Sequence, residues 1–337
     1  MRAYELRGQG IETLAVVDRG RPRPGPGQVL VRMRAASLNY RDLLVASGAY
    51  TRGGPPKRPL VPLSDGAGEI TEVGEGVTRL RSGDRVAGAF FQKWVDGPFD
   101  AGKGASALGG AIDGVLAEEV VLEADAAVRF PDHLSFEEAA TLPCAAVTAW
   151  VGLVVFGHLG PGETVLALGT GGVSIFALQL AKALGARVIL TSSHDEKLAR
   201  GRTLGADDVI NYQRTPEWDA AARALTGGRG VDHVLEVVGA ATVARSLAAV
   251  RDGGHLSVVG LLCGERADPD AAARNGRGVR VDSVYVGSVR HFEQMNEVIA
   301  RAKLRPVVDR VFAFERAREA YEHLRSGAHF GKDVIAL

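Results

Sequence analysis

Cysteine is almost missing from this chain: Cys144 and Cys263 are the two in 337 residues. A small disulfide scaffold needs more, so a reduced, intracellular compartment is expected. Excess charge is missing too, because 40 Lys and Arg balance 40 Asp and Glu. That balance gives no electrostatic footprint for nucleic acid or for an anionic membrane surface. No long apolar run occurs. The longest apolar stretch, Ala145 to Phe156, is too short to cross a bilayer and reads as a buried helix. Met1–Leu6 runs directly into strand-like sequence, without the apolar core of a secretory signal. The eight histidines are scattered, with no close pair that would seed a metal site. A soluble, cytoplasmic protein is expected, with enough chain for about two domains.

What is present divides near residue 125. The first stretch is rich in Gly and Pro, with short runs such as Gln28–Arg34 that alternate polar and apolar residues, as a half-buried strand does. Glycines punctuate a second run over Gly66–Val77, and Ser82–Asp84 is a turn signal. This density of short strands predicts a β-rich, partly barrel-like unit. Ser135 and Glu138 then form a capping box. From Glu163 onward strands alternate with helices: 164–168, 187–191, 208–212, 234–238 and 255–259, with crossover helices over 176–184 and 243–251. That alternation predicts an α/β, Rossmann-type doubly wound parallel sheet. Helices over 292–302 and 315–325 and a closing strand at 330–337 are read as returning to the first domain.

Gly169, Gly171, Gly172 and Val173 lie between a strand and a helix whose apolar face ends at Gly185. Glycines there let the backbone approach a pyrophosphate at the helix N-terminus. Ser174 stands where a third glycine or alanine is usual. After the second strand an NAD site normally offers a carboxylate to the ribose; this chain has Ser192, Ser193 and then His194. Serine hydroxyls can donate to a 2′-phosphate. Lys197 is either the cation that completes that site or a solvated helix lysine, and Tyr212 ends the next strand. Asp195 argues the other way. The pattern favours NADPH over NADH. Val237, Val238, Gly239 and Gly260 fall at the carboxyl ends of later strands, where open parallel sheets bind ligands.

Together these motifs resemble the medium-chain dehydrogenase/reductase superfamily, in particular its zinc-independent, quinone-oxidoreductase-like branch. The resemblance rests on Ser37–Asp42, Ser64–Glu69, Leu142–Trp150, the glycine turn, Leu204–Tyr212 and Ala328–Lys332. It implies a GroES-like catalytic domain split across the termini (1–125 and 285–337) around a dinucleotide-binding domain (126–284). Zinc-dependent relatives carry Cys, a His–acid pair and Cys. The matching positions here are Asn39, Ser64–Asp65 and Cys144, so only one thiol would remain, and zinc asks for three protein ligands. No cysteine falls near 90–115, where the structural lobe would lie. No metal is therefore expected, and Cys144 is read as a small buried residue. Without a Lewis acid, hydrogen-bond donors must stabilise the developing charge, which suits a quinone or an α,β-unsaturated carbonyl.

The candidate donors are Asn39, Tyr40 and Tyr50. Tyr50 sits where similar enoyl-thioester reductases place a proton donor; otherwise it is a loop tyrosine packed on Pro55 or Pro56. Asp42 is expected to cap a helix beginning at Leu43, and Arg41 to pair with Asp42. By resemblance Thr148, Val286 and Gly287 face the nicotinamide, while Phe330 and Lys332 approach the cofactor; Lys332 as a plain strand-end charge stays open. The family expectation is a homodimer through a strand over 279–286. Two other functions remain: an alcohol or aldehyde dehydrogenase without zinc, and a non-catalytic NADPH-binding sensor.

Overall fold

The computed structural model describes residues 1–50, 59–260 and 276–337. Two units emerge: Met1–Val147 together with Gly287–Leu337, and Thr148–Val286. No helix among the described residues is long and apolar enough to cross a membrane.

In the first unit β1 (Arg2–Leu6) and β2 (Leu14–Asp18) form a hairpin-like pair. A seven-stranded sheet contains β3 (Gln28–Ser37), β4 (Asp65–Val73), β5 (Arg85–Gly88), β6 (Glu119–Glu123) and β7 (Ala127–Arg129), joined by β14 (Val308–Ala313) and β15 (Lys332–Ala336). The longest strand, β3, organises it, pairing antiparallel with β4, β6 and β15. The closing strand thus returns to the first domain, as the sequence suggests. The unit also keeps residues 126–147, beyond the boundary expected near 125. There β7 pairs with β5, and the helix Phe136–Ala140 starts on the expected capping box, Ser135 N–H donating to Glu138 and Ser135 Oγ accepting from Glu138 N–H. A three-residue strand is too short to register as alternation, so the sequence places the boundary early.

The second unit is a six-stranded parallel sheet in the order β10-β9-β8-β11-β12-β13. Its strands are β8 (Thr164–Ala167), β9 (Arg187–Ser192), β10 (Asp208–Asn211), β11 (Val231–Glu236), β12 (Val250–Val258) and β13 (Arg280–Ser283). Helices Gly172–Ala183, Asp195–Thr203, Trp218–Ala224 and Val243–Ala249 provide crossovers. Burial on both faces explains near-continuous apolar runs such as Val165–Leu168. The order reverses between β8 and β11, the switch point at which such sheets take their ligands. The strand limits shift most at β11, which runs Val231–Glu236 rather than 234–238, and at β12, which starts at Val250 rather than His255; the other limits shift by at most one residue. The apolar segment ending at Phe156 is helical, with π-wound stretches Leu142–Ala146 and Val151–Phe156 around Val147–Trp150.

Candidate active site

In the second unit the switch point is lined by backbone. Gly169 leaves β8 at φ 75°, a conformation that glycine adopts without strain, and its N–H donates to Thr191 Oγ1 at 3.0 Å. Gly171 is the N-cap of the helix Gly172–Ala183, and no side chain caps that end. Gly171, Gly172 and Val173 are half-buried, so the first-turn amides are open to an anion. Ser174 is buried and turns inward, its hydroxyl donating to Leu168 O at 2.6 Å. The substitution for glycine therefore ties the helix to the strand instead of prising them apart.

Ser192 ends β9 and is buried, accepting from His194 N–H. Its carbonyl accepts from Tyr212 N–H at 3.1 Å, which brings the ends of β9 and β10 together; the Tyr212 side chain is exposed. Ser193 hydrogen-bonds the His194 ring at 2.7 Å. Asp195, the counter-argument to a phosphorylated ribose, is engaged elsewhere: its carboxylate accepts from Asn211 Nδ2 at 2.7 Å and pairs with Arg214. Lys197 is half-buried in the first turn of the following helix.

Past the switch point, Gly239 and Gly260 pack backbone to backbone. A Cβ on Gly260 would lie 2.5 Å from Gly239 Cα. The loop Val237–Gly239 is held by a residue that sequence reasoning missed. Glu236 is fully buried; its Oε1 accepts from Val238 N–H (2.7 Å), Gly239 N–H (3.0 Å) and Thr242 Oγ1 (2.8 Å), and its Oε2 from Ser246 Oγ (2.5 Å). An acidic residue at the end of an apolar strand was the one visible signal. Thr148 is buried in its helical segment. Val286 ends the unit at φ 58°, a strained conformation for a β-branched residue.

In the first unit another polar group converges. The helix Tyr40–Ser47 starts at Tyr40 rather than Leu43. Asn39 is its N-cap, and Asp42 is the third helical residue, accepting from Asn39 N–H at 2.7 Å. Tyr40 is therefore in the first turn, and its side chain is exposed. Lys332 opens β15, and its buried ammonium donates to Asn39 Oδ1 at 2.6 Å and to Leu38 O. Asp65 accepts from Ser64 Oγ at 2.7 Å and from Cys144 N–H at 3.0 Å. Burial pushes the Asp65 carboxyl up, while Lys332, Ser64 and Asn39 hold it back. Burial likewise drives the Cys144 thiol far above its ordinary range, and Asp65 adds to the effect. The fully buried Asp42 is raised to about 6 by burial, with Arg41 opposing.

Arg41 donates to Leu108 O and pairs with Asp42 at 3.4 Å. Its guanidinium lies over the Tyr50 ring at 4.7 Å and the Phe90 ring at 4.8 Å. Tyr50 is consequently buried rather than a surface-loop residue; Pro55 and Pro56 lie outside the described residues. Phe330 is buried beside Gly331, and Gly287 begins the returning segment. Asn39, Lys332, Asp65 and Cys144 thus meet in one unit, while the glycine turn, Ser192, Tyr212, Gly239 and Gly260 line the crevice of the other.

The family described as alcohol dehydrogenase GroES-like domain matches residues 25–132, and that described as zinc-binding dehydrogenase matches 172–302. A zinc-type alcohol dehydrogenase-like protein of Schizosaccharomyces pombe is 47% identical, covering 93% of this chain and 91% of its own. The chain belongs to the medium-chain dehydrogenase/reductase superfamily. An acryloyl-coenzyme A reductase of Metallosphaera sedula is 34% identical, with 99% of both chains covered. A solved NAD-dependent alcohol dehydrogenase superposes with TM-score 0.89 at 34% identity, over 100% of each chain. This medium-chain protein is an NAD(P)H-dependent oxidoreductase with a GroES-like unit and a Rossmann unit.

Proposed function

We propose that the enzyme is a zinc-independent, NADPH-dependent reductase of quinones or α,β-unsaturated carbonyls. The observation that carries this reading is the Lys332 ammonium bonded to Asn39. Asn39 occupies the position of the first metal ligand in zinc-dependent relatives, and the cation next to it is a poor neighbour for Zn²⁺. Cys144 is the single thiol of the set, and a catalytic zinc asks for three protein ligands. The residues present do not fit a catalytic zinc.

The Rossmann crevice fits a phosphorylated dinucleotide. The uncapped helix end suits the pyrophosphate, and Ser192, Ser193 and Lys197 suit the 2′-phosphate, with Asp195 engaged by Asn211 and Arg214. When bound, the nicotinamide supplies hydride. Conjugation carries the resulting negative charge to the acceptor oxygen. Asn39 and Lys332 supply dipole and charge to stabilise it, each preorganised donor being worth about 3 kcal/mol. Tyr50, fixed under Arg41, is the proposed proton donor. The resemblance of the whole chain to a reductase of an α,β-unsaturated thioester supports this class. Alcohol oxidation is the second reading, favoured by the likeness to the NAD-dependent alcohol dehydrogenase.

Both readings are separated by assaying chelator-treated enzyme with NADPH or NADH against quinones, enones and alcohols. NADPH-linked quinone or enone reduction that survives chelation is expected, and Lys197→Ala weakens NADPH far more than NADH. Activity lost on chelation and restored by zinc in His323→Gln as fully as in the parent overturns the reading, because that variant lacks the imidazole of the separate Asp309–His323–Asp333 group. An equal loss of both cofactors in Lys197→Ala overturns it as well.

A further inference from the structure

Successive side chains of a strand point to opposite faces, so the residue after Lys332 is turned away from Asn39. That residue is Asp333. It is 1% exposed, and neither carboxylate oxygen accepts a hydrogen bond. Two other ligating groups converge on it. His323, from the helix Ala317–Ser326, sets its Nε2 3.7 Å from Asp333 Oδ1 and 3.4 Å from Asp309 Oδ2. Asp309 is supplied by a β-bulge: Val308 pairs with Lys332 and Arg310 with Asp333, which leaves Asp309 as the extra residue of β14. Bulges re-aim a side chain out of the regular ladder. The Phe312 ring packs against the imidazole, 5.9 Å between centroids. The His323 and Asp309 side chains stay 9% and 11% exposed, so the group has a route to solvent.

One imidazole nitrogen cannot hydrogen-bond two carboxylates well. It lies nearer to Asp309 and leaves the Asp333 oxygens desolvated, which is costly without a compensating positive charge. Burial pushes the Asp333 carboxyl up, Asp309 adds to that, and His323 opposes it. Among the described residues this is the group whose His and carboxylate atoms lie within 4.8 Å of one another in the manner of a metal site.

We propose that Asp309, His323 and Asp333 bind a divalent transition-metal ion such as Zn²⁺ or Co²⁺. Imidazole nitrogen selects these ions over Mg²⁺ or Ca²⁺, and two carboxylates neutralise the charge. The nitrogen–oxygen separations suit ligands at about 2.0–2.2 Å from a shared ion, with water completing the shell. The ion would clasp β14, β15 and the helix between them. It is independent of the hydride-transfer reading and lies on the other side of β15 from Lys332.

The test is titration of the full-length, chelator-treated protein with Co²⁺, read by visible absorption and by the melting temperature. One equivalent is expected to bind and to raise the melting temperature. His323→Gln and Asp309→Asn, both at partly exposed positions, each weaken binding at least about tenfold, while Cys144→Ser binds like the parent. Circular dichroism of the metal-free variants checks that each is folded. The proposal is overturned by an absence of cobalt-dependent absorption or stabilisation. It is equally overturned if binding is lost in Cys144→Ser alone, or if melting responds to pH but not to the ion, which would mean that the group holds only a proton.

Discussion

At Glu236 one carboxylate holds the whole turn that leaves β11. Two backbone amides and two hydroxyls donate to it. Replacing it leaves four buried or half-buried donors without an acceptor, and each such loss costs about 1–3 kcal/mol. Glu236→Ala is expected to destabilise the protein by at least about 3 kcal/mol in thermal or urea denaturation, and to weaken the dinucleotide in fluorescence titration. Unchanged stability would remove this role. Nothing in the spacing of the sequence announces Glu236, because two of its partners are local amides that any residue carries and the two hydroxyls belong to residue types common on any helix surface. Lys332 shows a different limit. Its motif was legible, but its partner Asn39 lies 293 positions away, a separation that no local pattern encodes. The part Asp42 plays at the helix start is illegible for a related reason. Asn and Asp cap helices equally well, and only the observed start at Tyr40 assigns the cap to Asn39.

Elements were most legible where periodicity was strong. The parallel strands and the capping box at Ser135 follow from apolar pattern and cap chemistry. The ends of β11 and β12 and the π-wound stretches were not legible, since hydrophobicity alone does not say where backbone pairing stops. The approach of two βα turns is another such property. Gly260 rests against Gly239 with no room for a methyl group, and the atoms in the way are backbone. Gly260→Ala must part the loops after β11 and β12, at a cost of about 1–3 kcal/mol for overpacking. Its expected signature is a weakened Kd for dinucleotide together with a lowered melting temperature. A variant that binds as the parent does would show that the two loops need not touch.

Across the molecule two aspartates, one in each unit, respond oppositely to acid. In the Rossmann unit Asp232 accepts from Arg229, Arg251 and Thr164 N–H, which hold its carboxyl far below the usual range. A depressed pKa contributes stability above the unfolded value, about 3.9, and loses it as pH falls further. Asp42 in the GroES-like unit is raised to about 6. Its contribution is complete below about 3.9 and is lost as pH rises toward 6. Hydrogen exchange is therefore expected to show the helix Tyr40–Ser47 better protected at about pH 5 than at about pH 7. The β8 and β11 amides lose protection below about pH 4. Asp42→Asn and Asp232→Asn flatten the respective profiles; parallel profiles in both units would refute the assignment. We also propose a homodimer through β13, which is the last strand of its sheet among the described residues. Sedimentation at twice the 35.5 kDa chain mass is the expected result, and a monomer at every concentration removes it.

The division between units inside one helical segment, at Val147 and Thr148, governs how the chain can be recombined with its kin. A graft joined near residue 125 would import the foreign parent's β7 and the helix that follows, stripping β5 of its native neighbour. Junctions at Val147 and Val286 instead exchange an intact cassette. Nucleotide preference could then be transplanted while the acceptor chemistry stays with the recipient.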